Sequence, residues 1–103
     1  MILLGDFNAP APDGDAYQML LAAEYVDTWQ LDSHGTGYTC CQDKALQNEA
    51  SEHRKRIDQI FVRNLDPPTA VMTSTIGDKP EDKLSSGLWP SDHAGVVAHL
   101  AFE

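Results

Sequence analysis

The chain has 103 residues, 42% of them hydrophobic, and a formal net charge of −9 at pH 7. That length allows one domain with a modest core, and the composition excludes a disordered chain. No apolar run approaches the roughly 20 residues that a membrane helix needs, and an acidic chain cannot grip a polyanion by charge alone.

Met1 to Asp6 has an apolar tripeptide but neither a basic flank nor a cleavage pattern, so it does not read as a signal peptide, and localisation stays unread. Ile2-Leu3-Leu4 reads as a short buried strand running into Gly5-Asp6-Phe7-Asn8. Pro10, Pro12 and Gly14 then interrupt regular structure up to about Asp15. A helix is expected from Ala16 to Tyr25, capped by Asp13 or Asp15, with Tyr17, Leu20 and Leu21 as its buried stripe. Val26 to Trp29 reads as a short extension.

Gly35 and Gly37 break the chain before a strand expected at Tyr38-Thr39-Cys40-Cys41. Neighbouring cysteines staple no loop when bonded to each other, so the expectation is no structural disulfide, with one thiol buried and one outward. No Cys/His spacing suits zinc. Asp43 to Lys55 is a polar loop. Arg56 to Arg63 is the clearest strand, with Ile57, Phe61 and Ile60, Val62 filling its two faces. A turn is expected at Asn64 to Pro68, a strand at Thr69 to Ile76, a loop at Gly77 to Pro90 and a last strand at Asp92 to Phe102. The fold class that follows is α+β: a mostly antiparallel β-sheet with a flanking helix on one face.

Residues 1 to 43 carry seven acids and no Lys or Arg. They form either a solvated acidic surface or a carboxylate-lined site for a divalent cation. Three short clusters carry usable chemistry. Asp6 and Asn8 follow a strand two residues apart, so their side chains can point the same way. A carboxylate can orient or deprotonate water, and a carboxamide can hydrogen-bond a phosphoryl oxygen. Ordinary turn chemistry explains the same pair equally well. Asp58 shares a strand face with Ile60 and Val62, where an unpaired carboxylate is costly; Arg56 or an imidazole could pair with it. His93 follows Asp92 at the start of the last strand. The two would point opposite ways there, which leaves Asp58 as a partner to fix the imidazole tautomer.

Gly5-Asp6-Phe7-Asn8, Arg56-Ile57-Asp58-Gln59-Ile60-Phe61 and Ser91-Asp92-His93, in this order, resemble the last three motifs of the endonuclease/exonuclease/phosphatase superfamily. Gly37-Tyr38-Thr39 also resembles a family element, and Trp89-Pro90-Ser91-Asp92-His93 resembles the ending of bacterial members. The resemblance implies a hydrolase that cleaves phosphate mono- or diesters with Mg²⁺ or Mn²⁺, inside a four-layer α/β/β/α sandwich. Residues 1–103 would be the C-terminal part of that domain, about half of the sandwich. By the same resemblance, Asp6 positions or activates the attacking water and Asn8 contacts the phosphate. Asp58 orients His93, and His93 stabilises charge on the phosphoryl oxygen. Asp92, with Asp6 and Asn8, lies at the metal.

The family's upstream half brings a metal-binding Glu that these residues lack, so the isolated chain is expected to be inactive. The partners expected are a phosphate-ester substrate, nucleic acid among the candidates, and the missing N-terminal half. An alternative is a non-catalytic assembly or binding module that retains the motifs; another is a carboxylate-rich metal-binding domain. Alternation leaves Ile60, Val62, Ala94, Val96, Ala98 and Leu100 as an uncovered face, from which a homodimer is expected.

Overall fold

The computed structural model describes residues 1–33, 35–63 and 70–101. Its elements are β1 (Ile2–Asp6), α1 (Asp15–Ala22), β2 (Val26–Asp27), α2 (Thr28–Leu31), β3 (Asp58–Val62), β4 (Ala70–Ile76) and β5 (Gly95–Ala101), with a 3₁₀ turn at Pro80–Asp82. All strand pairs are antiparallel and one helix flanks them, so the class is α+β. Among the described residues, no helix is long and apolar enough to cross a membrane. The turn expected at Asn64 to Pro68 lies outside the described residues, as do Thr69 and Phe102.

Instead of one sheet, the strands form two. One has the order β1-β3-β2 and the other pairs β4 with β5. The division has a hydrogen-bonding cause. A strand cannot form along Tyr38 to Cys41 because that segment links two others through isolated bridges, Cys40 with Lys55 and Cys40 with His93. Thr39 N–H donates to the Lys55 carbonyl at 2.7 Å, Ala94 N–H to Thr39 at 2.8 Å and Gln42 N–H to Asp92 at 2.8 Å. The link therefore holds the approach to β3 against the approach to β5, and regular pairing of the last strand starts only at Gly95. At a second point α2 spans the sheets. Thr28 Oγ1 donates to the Ile60 carbonyl at 2.9 Å, and buried Thr73 of β4 donates its hydroxyl to Thr28 at 3.1 Å.

The faces of β3 follow from alternation. Phe61 is fully buried against Phe7, Tyr17 and Tyr25, with ring centroids 5.4, 5.8 and 6.4 Å away. Burying a side chain of that size contributes about 1.5–3 kcal/mol. α1 supplies Tyr17 but is shorter than expected, ending at Ala22 with Glu24 left-handed at φ 69°. Gly14 occupies its N-cap without a side-chain bond, so neither Asp13 nor Asp15 caps it; Asp15 sits in the first turn, where its charge suits the helix dipole. Leu20 is half-buried and Leu21 exposed, so Tyr17 alone carries the buried stripe.

Arg56 does not pair with Asp58. Its guanidinium forks onto Asp27, with Nη1–Oδ1 at 3.2 Å and a second bond from Nη2 to Oδ2, and Tyr17 donates its hydroxyl to Asp27 Oδ2 at 2.7 Å. The Tyr17 and Trp29 rings lie 5.7 and 5.9 Å from the guanidinium carbon. Gly37 closes this nest at φ 71°, where a Cβ would meet the Trp29 ring at 2.5 Å and Arg56 Cδ at 2.8 Å. Only glycine satisfies both conditions.

The opposite face of the three-stranded sheet carries Ile2, Leu4, Asp6, Asp58, Ile60 and Val62. Here the uncovered side chains differ from those expected. Val62 and Ala94 are buried, and Ile60, Val96, Ala98 and Leu100 are half-buried. Among the described residues, bare apolar strand positions include Ile2 and Leu4 on β1, Val26 on β2, and Met72 and Ile76 on β4, with Leu4 65% and Met72 63% exposed.

Candidate active site at the ends of β1, β3 and β5

Three approaches converge here. β1 delivers Asp6 opposite Asp58 of β3, the last pair of their register. Two carboxylates placed opposite each other repel unless a cation or a proton donor lies between them. Gly5 holds φ 151° just before, and Asn8 is left-handed at φ 51°, with its N–H on Asp6 Oδ1 at 2.8 Å. This is the Asx-type turn that short polar residues favour. It aims the Asp6 carboxylate and leaves the Asn8 side chain exposed.

The start of β3 is fixed by Thr39. Its buried hydroxyl accepts from both Ile57 N–H and Asp58 N–H, each at 3.1 Å. Gln59 adds two side-chain bonds, to the Ala9 carbonyl at 3.0 Å and the Arg56 carbonyl at 2.8 Å. Asp58 is thus held by backbone contacts to sequence-distant segments before its carboxylate does anything.

His93 arrives on the loop before β5. Fully buried Trp89 anchors that loop by donating Nε1–H to the Asn48 carbonyl at 2.8 Å, with Lys83 Nζ 4.8 Å from its ring. Ser91 Oγ accepts from His93 N–H at 3.1 Å, and the bridge to Cys40 sets the His93 backbone. Nδ1 of His93 then lies 2.7 Å from Asp58 Oδ2, both side chains half-buried. This hydrogen bond raises the His93 imidazole above its ordinary value near 6.5; burial opposes the rise, and the charges of Asp58, Asp92 and Asp6 add to it.

One ligand atom each from Asp6, Asp58 and His93 lie within 4.8 Å of one another. Oxygen-rich sets of this kind suit hard divalent cations such as Mg²⁺, which bind through one or two carboxylates and keep several waters. The donor set therefore fits such an ion. Asp92 stands apart from this cluster. Its carboxylate is exposed, 3.4 Å from Ser91 Oγ, while its backbone carbonyl accepts from Gln42 N–H at 2.8 Å and lies 3.1 Å from His53 Nε2.

A groove of about 250 Å³ beside the cluster is lined by Leu4, Asp6, Asp58, Ile60, Gly95 and Val96 among others. A larger hollow of about 500 Å³ lies around Tyr38, His53, Thr75, Asp78 and Lys79, away from the Asp6–Asp58–His93 group. The smaller groove is the one whose walls carry Asp6 and Asp58.

Cys40 is buried and Cys41 exposed, but the two are joined as a vicinal disulfide, against expectation. The alternation argument does not apply to them, because their segment is a link of isolated bridges and not a regular strand. Sequence reasoning also gave Thr39 no role beyond a family element and missed the anchoring by Trp89. A hydroxyl two residues after a glycine and a tryptophan before Pro-Ser-Asp-His carry no local signal of what they bond.

Residues 1–93 match the family model described as the Endonuclease/Exonuclease/phosphatase family. No curated protein and no solved structure matches the chain.

Proposed function

The chain belongs to the endonuclease/exonuclease/phosphatase family, whose members act on phosphate esters or nucleic acids, and on that premise we propose that it carries the catalytic end of a metal-dependent phosphoesterase. The observation that supports this most is the 2.7 Å bond between His93 Nδ1 and Asp58, beside the Asp6 carboxylate. Asp58 fixes the imidazole tautomer and directs Nε2 toward the substrate. His93, its proton held more tightly by that carboxylate, donates to a phosphoryl oxygen as charge grows there. Asp6, restrained through the Asn8 N–H, orients or deprotonates the attacking water, and the Asn8 carboxamide contacts the phosphate. Asp6 would hold the Mg²⁺ or Mn²⁺, with Asn8 and the exposed Asp92 near it. The ion would supply charge neutralisation at the phosphoryl oxygens.

The 103-residue chain alone is expected to be slow or silent in hydrolysis. The test is phosphodiester hydrolysis in the complete gene product. His93→Ala should lower kcat by about 10²–10⁴ with little change in KM, the size typical of a lost general acid or base. A complete protein whose kcat survives both His93→Ala and Asp6→Asn rules this function out.

A second reading has its own observation. Leu4 and Met72 are 65% and 63% exposed, so the bare faces could serve a non-catalytic assembly module that retains the motifs.

A further inference from the structure

Cys40 and Cys41 play no part in the chemistry above, yet they lie against its central imidazole. The bridge between Cys40 and His93, together with the 2.8 Å bond from Ala94 N–H to the Thr39 carbonyl, lays the two backbones side by side. One ligand atom each from Cys40, Cys41 and His93 lie within 4.8 Å of one another. Donors on one tetrahedral zinc stand roughly 3.6–3.8 Å apart, given Zn–S near 2.3 Å and Zn–N near 2.0–2.1 Å. In the oxidised chain the two sulfurs are bonded to each other, so reaching that spacing requires reduction and a rotation of the two side chains apart.

We propose that, once reduced, Cys40, Cys41 and His93 form a binding site for a thiophilic divalent cation of the zinc class. Two soft thiolates and an imidazole select zinc-like ions over magnesium, the reverse of the neighbouring carboxylate set. The hydrogen bond that Nδ1–H donates to Asp58 leaves Nε2 as the ligand, and a metal-bound histidine commonly gives its other ring N–H to a carboxylate. Three protein donors leave a fourth position for water. Cys41 is exposed, which gives the ion an entry route.

The chemistry balances in two steps. An added dithiol reductant breaks the Cys40–Cys41 bond, is itself oxidised to a disulfide, and leaves two thiols. Binding then replaces the two thiol protons, released to solvent, with two sulfur–metal bonds. The consequence for hydrolysis rests on the function proposed above: with Nε2 on a cation, His93 can no longer donate to a phosphoryl oxygen. Binding of the ion does not depend on that function.

The experiment is anaerobic titration of the reduced 103-residue protein with Co²⁺, read by the thiolate-to-cobalt charge-transfer band in the ultraviolet. The band should saturate at one equivalent, be absent from the oxidised protein and be lost in Cys41→Ser. That variant changes an exposed side chain and avoids the folding risk of altering buried Cys40. In His93→Gln the affinity should fall about tenfold or more, with the band retained. A reduced protein with no band overturns the proposal. So does a His93→Gln variant that titrates like the parent, because the thiols would then chelate apart from the active site. Hydrolysis does not enter the readout, so a chain without phosphoesterase activity tests the proposal equally well.

Discussion

Asp27 and Arg56, 29 residues apart in sequence, meet in a buried two-pronged ion pair that closes the core beneath Tyr17. Removing one partner leaves the other charged and dry, which typically costs about 3–5 kcal/mol. A domain of this size has about 5–15 kcal/mol in total. Arg56→Leu should therefore shift the urea midpoint sharply downward or prevent folding. A midpoint within error of the parent would mean that the pair is solvated and unimportant.

Tyr17 offers a pH signature of the same cluster. Its hydroxyl is pushed up to about 12 from 10.0, chiefly by burial and by its bond to the Asp27 carboxylate. A raised value means a stabilising contribution fully present below pH 10 and lost as the pH rises through 12. Over that interval the contribution should fall by about 2–3 kcal/mol, an upper figure that solvent entry reduces. Other groups also titrate there, so the comparison is with Tyr17→Phe. The gap in unfolding free energy, about 1 kcal/mol in the parent's favour at about pH 9 from the hydrogen bond, should close and then reverse as the pH approaches 12. A constant gap would place Tyr17 in water.

His93 should titrate above its ordinary 6.5 when followed by NMR of its ring protons, because Asp58 favours the protonated form. The associated stability is present below pH 6.5 and fades as the pH passes the folded-state value. Asp58→Asn should bring the titration back toward 6.5. If the substitution leaves the curve unmoved, the hydrogen bond is not what sets it.

The isolated chain should show no measurable Mg²⁺-dependent hydrolysis of bis-p-nitrophenyl phosphate. A catalytic set that lacks one member loses most of its acceleration. Robust turnover abolished by His93→Ala would instead make these 103 residues self-sufficient.

Self-association is expected through the bare faces. Covering about 400 Å² of apolar surface at about 25 cal/mol per Å² is worth on the order of 10 kcal/mol before the costs of association. Sedimentation at micromolar concentration should show a concentration-dependent dimer that Leu4→Asp or Met72→Asp dissociates. A monomer at every concentration would remove the homodimer from consideration.

The three motifs were legible because each is a local string of residue identities that the family model also matches: Asp6 with Asn8, Asp58, and His93. β3 was legible too, since alternating β-formers leave few other choices for Ile57 to Val62. What stayed hidden depends on long-range hydrogen bonds. Nothing local in Val26-Asp27-Thr28-Trp29 marks Asp27 as the partner of Arg56, and charge pairing along β3 suggested Asp58 instead. The division into two sheets follows from the Thr39 and Cys40 backbone lying between Lys55 and His93, which no periodicity encodes. The same placement brings two cysteine sulfurs to a histidine more than fifty residues away, outside any metal-binding spacing.

The hydrogen bond between Asp58 and His93 joins the start of one sheet to the approach of the other. Asp58 opens β3, whereas His93 precedes β5, and the Thr39–Gln42 link with α2 holds the two bodies together. The proton on His93 is therefore a gauge of the angle between them. A change in that angle that lengthened this bond would loosen that proton. Conversely, protonating the imidazole tightens the clasp and stiffens the joint.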